Sequence, residues 1–150
     1  MTIDQSYLDD LPLAGDVVGL AFDGWTDLLR REFEANAQNG NVGGVLLSET
    51  DRLRVWAITL GAGERLPAHR HVLDYMWTAL TPGASLQHTH DGTTRAVRYN
   101  AGETRNYIFE SGEFLLHDLE NTGTTTLSFI TVELKNSANE ALTLNSGPKR

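Results

Sequence analysis

Residues 67–75 read Pro-Ala-His-Arg-His-Val-Leu-Asp-Tyr, and the two histidines in that stretch, His69 and His71, set the reading of the whole chain. On a helix, residues two apart diverge by roughly 200°; on a strand they project from one face, about 6.6 Å apart along the chain. That spacing suits chelation by two imidazoles. A third histidine, His117, lies inside the run Phe114-Leu115-Leu116-His117-Asp118-Leu119-Glu120, a strand-like segment with enough apolar residues to contribute to a core. A lone histidine in such a place is most often a hydrogen-bonded structural residue. Together with the His-x-His pair it becomes a candidate third ligand.

The surroundings of these residues are β-rich. From Val42 onward, short runs alternate with breaks such as Ser48–Asp51, Thr81–Gly83, Asn100–Glu103 and Asn121–Thr125, all chemically suited to turns. About eight strands are predicted: 42–48, 53–60, 74–80, 84–90, 94–99, 106–109, 114–120 and 126–134. With no helical crossovers between them, they argue for antiparallel hairpins closing into a sandwich or small barrel. Before them, Phe22, Trp25, Leu28, Leu29 and Phe33 recur at helical spacing, with Asp23 placed to cap the start and Asn39-Gly40-Asn41 to end the helix. The expected division is therefore an N-terminal arm and helix over 1–41, a barrel over 42–135 and a C-terminal strand and tail over 136–150, the strand being Ala141–Leu144. The helix is expected to cover an open face or edge of the barrel, or to pack across a subunit interface.

Composition removes several functional classes. With 150 residues the chain is the size of one domain, and its 12 Lys+Arg against 20 Asp+Glu give a formal charge of −8 that repels nucleic-acid backbones and anionic lipid. Neither nucleic acid nor membrane is an expected partner. Without cysteine there is no thiolate nucleophile and no Cys-based metal site, so any metal must be held by His and oxygen ligands. Met1–Asp10 lacks the basic and apolar regions of a secretory signal, which makes the cytoplasm the expected location.

Over about Leu53–Leu134 the pattern resembles the cupin superfamily. Gly63, five residues, then His69 and His71 correspond to the first cupin motif, with Gly83 near its end; His117 and Asn121 correspond to the second. The detail of residues 69–83 is most similar to small single-domain bacterial cupins of the β-alanine degradation protein group. The resemblance implies an all-β fold, a single double-stranded β-helix (jelly-roll) barrel with an N-terminal helix, often dimeric. It also implies a metal bound inside by His69, His71 and His117.

Two departures stand out. The motif Glu is absent, and counting by twos puts Tyr75 at its inward position and Asp74 on the opposite face. The Pro-x-Gly expected before the second-motif His is replaced by the longer turn Glu110-Ser111-Gly112-Glu113. Tyr75 is left as a phenolate ligand, a hydrogen-bonding catalytic group on a metal-bound water, or an aromatic wall.

Three neutral imidazoles with open positions accept Fe(II), Mn(II), Ni(II), Zn(II) or Cu(II). A second His-x-His, His88 and His90, precedes the Asp91-Gly92 turn, where solvent exposure is expected. For a substrate pocket, alternation points Trp77, Ala79, Leu115 and Leu119 inward, and Arg105 and Tyr107 stand at the start of the 106–109 strand. Arg105 would favour a carboxylate through a bidentate contact, although a solvated surface charge is the commoner fate of such a residue. Two functions follow. One is a small metal-dependent enzyme, of oxygenase, isomerase or lyase type, acting on a carboxylate- or carbonyl-bearing metabolite. The other is a non-catalytic small-ligand-binding or sensing cupin whose metal is structural or absent.

Overall fold

Ten antiparallel strands and one α-helix make up the regular structure of the computed structural model, which describes Leu11 and residues 13–144. In chain order they are β1 (Asp16–Gly19), α1 (Asp27–Ala35), β2 (Val45–Glu49), β3 (Leu53–Leu60), β4 (Arg65–His71) and β5 (Asp74–Ala79). There follow β6 (Gly83–His88), β7 (Thr94–Tyr99), β8 (Thr104–Tyr107), β9 (Leu115–Asn121) and β10 (Leu127–Leu134). One sheet runs β1-β7-β6-β9-β4 and the other β2-β3-β10-β5-β8. The period-two burial of β3 and β10 gives the second sheet one apolar face. Ile58, Leu60, Leu127 and Phe129 from the second sheet meet Leu66, Val97, Tyr99 and Leu119 from the first, so the main core lies between the sheets. A smaller cluster lies outside the first sheet, where Phe33 of α1 packs with Ala68, Leu73, Phe114 and Leu116. Among the described residues no helix is long and apolar enough to cross a membrane.

Two strands exceed the sequence reading. β1 sits inside the expected arm and pairs with β7, so the 1–41 segment contributes an edge to the barrel instead of standing apart from it. β4 was obscured by the turn-forming residues around Gly63 and Pro67. The helix is also shorter than its apolar spacing suggests. Ala21 and Phe22 have φ of 55° and 65° and Gly24 has φ of 79°, so the backbone turns left-handed there and cannot yet be helical. The cap is therefore Thr26, whose Oγ1 accepts the Leu29 N–H at 3.1 Å, and not Asp23. α1 stops at Ala35, before Asn39, and Leu28, expected on its buried face, is exposed. Ala141–Leu144 forms no strand; its Leu142 packs on the outer cluster and its carbonyl accepts from Arg54 at 3.1 Å. Residues 1–10, 12 and 145–150 of the expected arm and tail lie outside the described residues.

The inner face of β10 carries one acid, Glu133, buried where Trp56 Nε1 donates to it at 2.8 Å. Burial pushes its carboxyl up to about 7, against the pull of Trp56 and Arg54. A raised folded-state value means stability that is present below the ordinary carboxyl range and is lost as pH rises through about 7. Glu133→Gln keeps an acceptor for Trp56 and removes the charge. Its unfolding free energy in urea should match the native protein near pH 5 and exceed it by on the order of 1–3 kcal/mol near pH 8.

Candidate metal centre

β4 lies at the edge of its sheet and pairs with β9, Leu66 opposite Leu119 and His69 opposite His117. Three steps on β4 thus cover two on β9, and the extra residue is a bulge at Pro67–Ala68. Without it, Leu66 facing the core would leave His69 and His71 on the outer face. With it, both turn inward beside His117. Proline, which has no N–H to give a ladder, is tolerated here because the strand is an edge and the site is a bulge.

The peptide groups of Ala68, freed from the ladder, are taken up by the helix and the turn that follows it. Glu32 Oε2 accepts the Ala68 N–H at 3.0 Å, and the Ala68 carbonyl accepts from Asn36 Nδ2 and Asn39 Nδ2, each at 3.0 Å. Glu32 is gripped by both terminal nitrogens of Arg65 at 2.9 and 2.8 Å, which holds its carboxyl below the ordinary range. Arg65 also reaches Asp118 Oδ2 at 2.7 Å, on the outer face of β9 behind His117. Burial raises the Asp118 carboxyl, but hydrogen bonds from His88 and Arg65 outweigh it and hold Asp118 low. Glu32→Ala leaves a part-buried amide and guanidinium without their acceptor. It should lower the unfolding free energy by about 1–3 kcal/mol in chemical denaturation.

On the inner face the ligand-capable nitrogens of His69, His71 and His117 lie within 4.8 Å of one another. That is within side-chain adjustment of an ion with metal–nitrogen distances of about 2.0–2.1 Å. His69 Nδ1 stands 2.7 Å from the Pro67 carbonyl, which only accepts, so Nδ1 carries the proton and Nε2 keeps its lone pair. His117 Nδ1 is likewise 3.0 Å from Gln87 Oε1, and Gln87 Nε2 donates to Tyr99 at 2.9 Å. His71 Nδ1 is buried without a hydrogen-bond partner among the described residues. Burial drives His69 down to about 4 and His71 and His117 well below 6.5. All three are neutral bases at pH 7, and the donor set fits a divalent transition metal.

Because these histidines are harder to protonate folded than unfolded, metal-free protein keeps their full contribution above about 6.5 and loses it as pH falls toward about 4. Thermal unfolding of the stripped protein should show that loss. A His71→Leu variant, with one titrating group fewer, should show a shallower one.

A cavity of about 40 Å³ opens beside the triad, walled by Tyr75, Trp77, Gln87, Tyr99, Leu119 and Phe129 among others. Tyr75 stacks on His71 with ring centroids 3.8 Å apart and planes 11° apart, and on Tyr107 at 4.7 Å, with its ring among those lining the cavity. Trp77 lines the cavity directly. Tyr107 and Leu115 stand behind these rings, Tyr107 accepting from Trp77 Nε1 at 3.3 Å and Leu115 buried against Tyr75 and Phe109. Arg105 pairs in register with Trp77. His88 and His90 are not the exposed tip their turn suggested. The His88 side chain is only 13% exposed and bonded to Asp118, and His90 Nδ1 accepts the Leu116 N–H at 3.1 Å. Neither joins the triad. Gly63 and Asn121 act as a corner, Gly63 N donating to the Asn121 carbonyl at 3.0 Å while Asn121 Nδ2 donates to Leu60 and Thr125, each at 2.9 Å. Gln87, Tyr99 and Asp118 escaped the sequence reading, although strand parity alone puts Gln87 on the face opposite His88.

No protein-family model and no curated protein matches the chain. Among solved structures, a cupin domain from Bordetella pertussis superposes with a TM-score of 0.53 at 23% identity, covering 61% of this chain and 90% of that one. The chain has the cupin fold. An uncharacterised double-stranded β-helix protein from Klebsiella pneumoniae has a TM-score of 0.49 at 22% identity over 67% of this chain and 82% of its own. An RmlC-like cupin from Methanocaldococcus jannaschii has a TM-score of 0.49 at 19% identity over 60% and 76%. His69 and His71 of β4 and His117 of β9 are the residues that meet inside the barrel, and the comparisons do not confirm the β-alanine degradation group.

Proposed function

We propose that His69, His71 and His117 hold one divalent transition metal, Fe(II), Mn(II), Ni(II), Zn(II) or Cu(II), and that the protein is a small enzyme acting on a carboxylate- or carbonyl-bearing metabolite. The observation that carries this is the convergence of three neutral imidazoles, two buried and one half-buried, on a mostly apolar cavity, with the His71 Nδ1 unpartnered among the described residues. Such an ion, when bound, polarises a carbonyl or carboxylate oxygen or activates a small molecule in its open position. The protein's own residues do the rest. Pro67 and Gln87 set the tautomers of His69 and His117, Tyr75 holds the plane of His71, and Trp77 and Leu119 keep bulk water from the reacting end.

The small free volume favours a second reading, in which the metal is structural and the barrel binds or senses a ligand without turning it over. A catalytic ion keeps an exchangeable position that takes azide; a structural ion raises the melting temperature and takes none. Elemental analysis of tag-free protein from metal-supplemented medium should find about one transition metal per chain. His69→Ala, His71→Ala and His117→Ala should each lose it, and His88→Ala and His90→Ala should keep it. Full metal content in any of the first three removes that residue from the ligand set.

A further inference from the structure

The protein answers some of its arginines with acids. Arg54 meets Glu49 at 2.7 Å, and Arg65 meets Glu32 and Asp118 at 2.8 and 2.7 Å. Arg95 and Arg105 are held less closely, Arg105 by an ion pair with Glu103 at 3.5 Å. Arg95 on β7 lies directly opposite Gln87 on β6, and Arg105 on β8 lies directly opposite Trp77 on β5. Gln87 and Trp77 both line the cavity beside the three histidines, and directly opposed residues of an antiparallel pair share a face. One arginine from each sheet therefore lies on the inner face, beside a lining residue and outside the lining itself. The Nε of each is buried with no hydrogen-bond partner among the described residues, as is Arg70 Nε on the outer face, and the Arg105 side chain as a whole is 38% exposed. Both charges also bear on one phenol: burial raises Tyr107, while Trp77, Arg105 and Arg95 pull it down.

A buried guanidinium nitrogen without an acceptor is costly, and a chain with 20 Asp+Glu has acids enough to supply one. We propose that Arg95 and Arg105 grip a carboxylate of the substrate, whose other, oxygen-bearing end is directed at the His69, His71 and His117 centre. The planar guanidinium fork matches a carboxylate in two parallel bonds. The direction of the second end rests on the proposed metal reading. The grip itself does not.

The test is calorimetric titration of metal-free and Mn(II)-loaded protein with acetate, oxalate, malonate and succinate, with malonamide as a neutral analogue. At least one of the acids should bind both forms, and malonamide should bind at least tenfold more weakly than malonate. Arg95→Gln and Arg105→Gln should each weaken the bound acid tenfold or more, with metal content unchanged. Arg95→Lys and Arg105→Lys, which keep the charge and lose the fork, should fall between, and they stand in if a Gln variant does not fold. The grip is overturned by malonamide binding as well as malonate, by binding of none of the acids, by arginine variants that bind like the native protein, or by preference for inorganic phosphate over every carboxylate. The two proposals fail separately. Protein that holds no metal yet binds an acid through both arginines refutes only the metal reading; a loaded triad with no arginine dependence refutes only the grip.

Discussion

The peptide unit of Ala68 is where the geometry of the centre is decided. A bulge releases it from the β4–β9 ladder, and a part-buried N–H and C=O without partners would together oppose folding by several kcal/mol. Glu32, Asn36 and Asn39 supply those partners from outside the barrel strands. The extra residue can then persist, and with it the inward turn of His69 and His71 that brings them to His117. Every other property of the site, from the neutrality of the imidazoles to the shape of the cavity, follows from that turn.

Charge is layered across the first sheet. On its outer face, Glu32, Arg65, Asp118 and His88 form a continuous paired network that is anchored at both the helix and β9. On its inner face three bases sit in apolar surroundings that hold them uncharged. The separation keeps acids near enough to favour positive charge at His69 and far enough not to occupy its inner lone pair. The inner face of this sheet is thus short of negative charge, the condition under which three neutral bases can serve as a cation-binding donor set.

Much of this was readable from residues 67–75 and 114–121. A period of two puts His69 and His71 on one face whichever face it is, and the short runs from Val42 on place most of the strands. Which face they take was not readable, because it depends on an insertion of one residue relative to a strand nearly fifty positions away. β1 was hidden by its brevity, and the true start of α1 by the left-handed backbone at Ala21 and Phe22, where apolar spacing continues although the helix does not. His88 and His90 misled for a related reason. A His-x-His before an Asp-Gly turn looks exposed, but Asp118, on the outer side of the strand that carries His117, draws His88 back onto the sheet. Arg95 drew no notice because a single arginine in a strand is ordinary; only the register that sets it across from Gln87 makes it distinctive.

The dependence of Ala68 on Glu32, Asn36 and Asn39 also bears on modularity. The strands carrying the histidines look like a self-contained cassette, and a designer would be tempted to transplant the barrel from Val42 onward into another scaffold. Such a graft would carry all three imidazoles and leave behind the side chains that stabilise the kink aiming two of them. In this protein the unit that can be moved, recombined or redesigned is the barrel together with the helix and the turn that follows it.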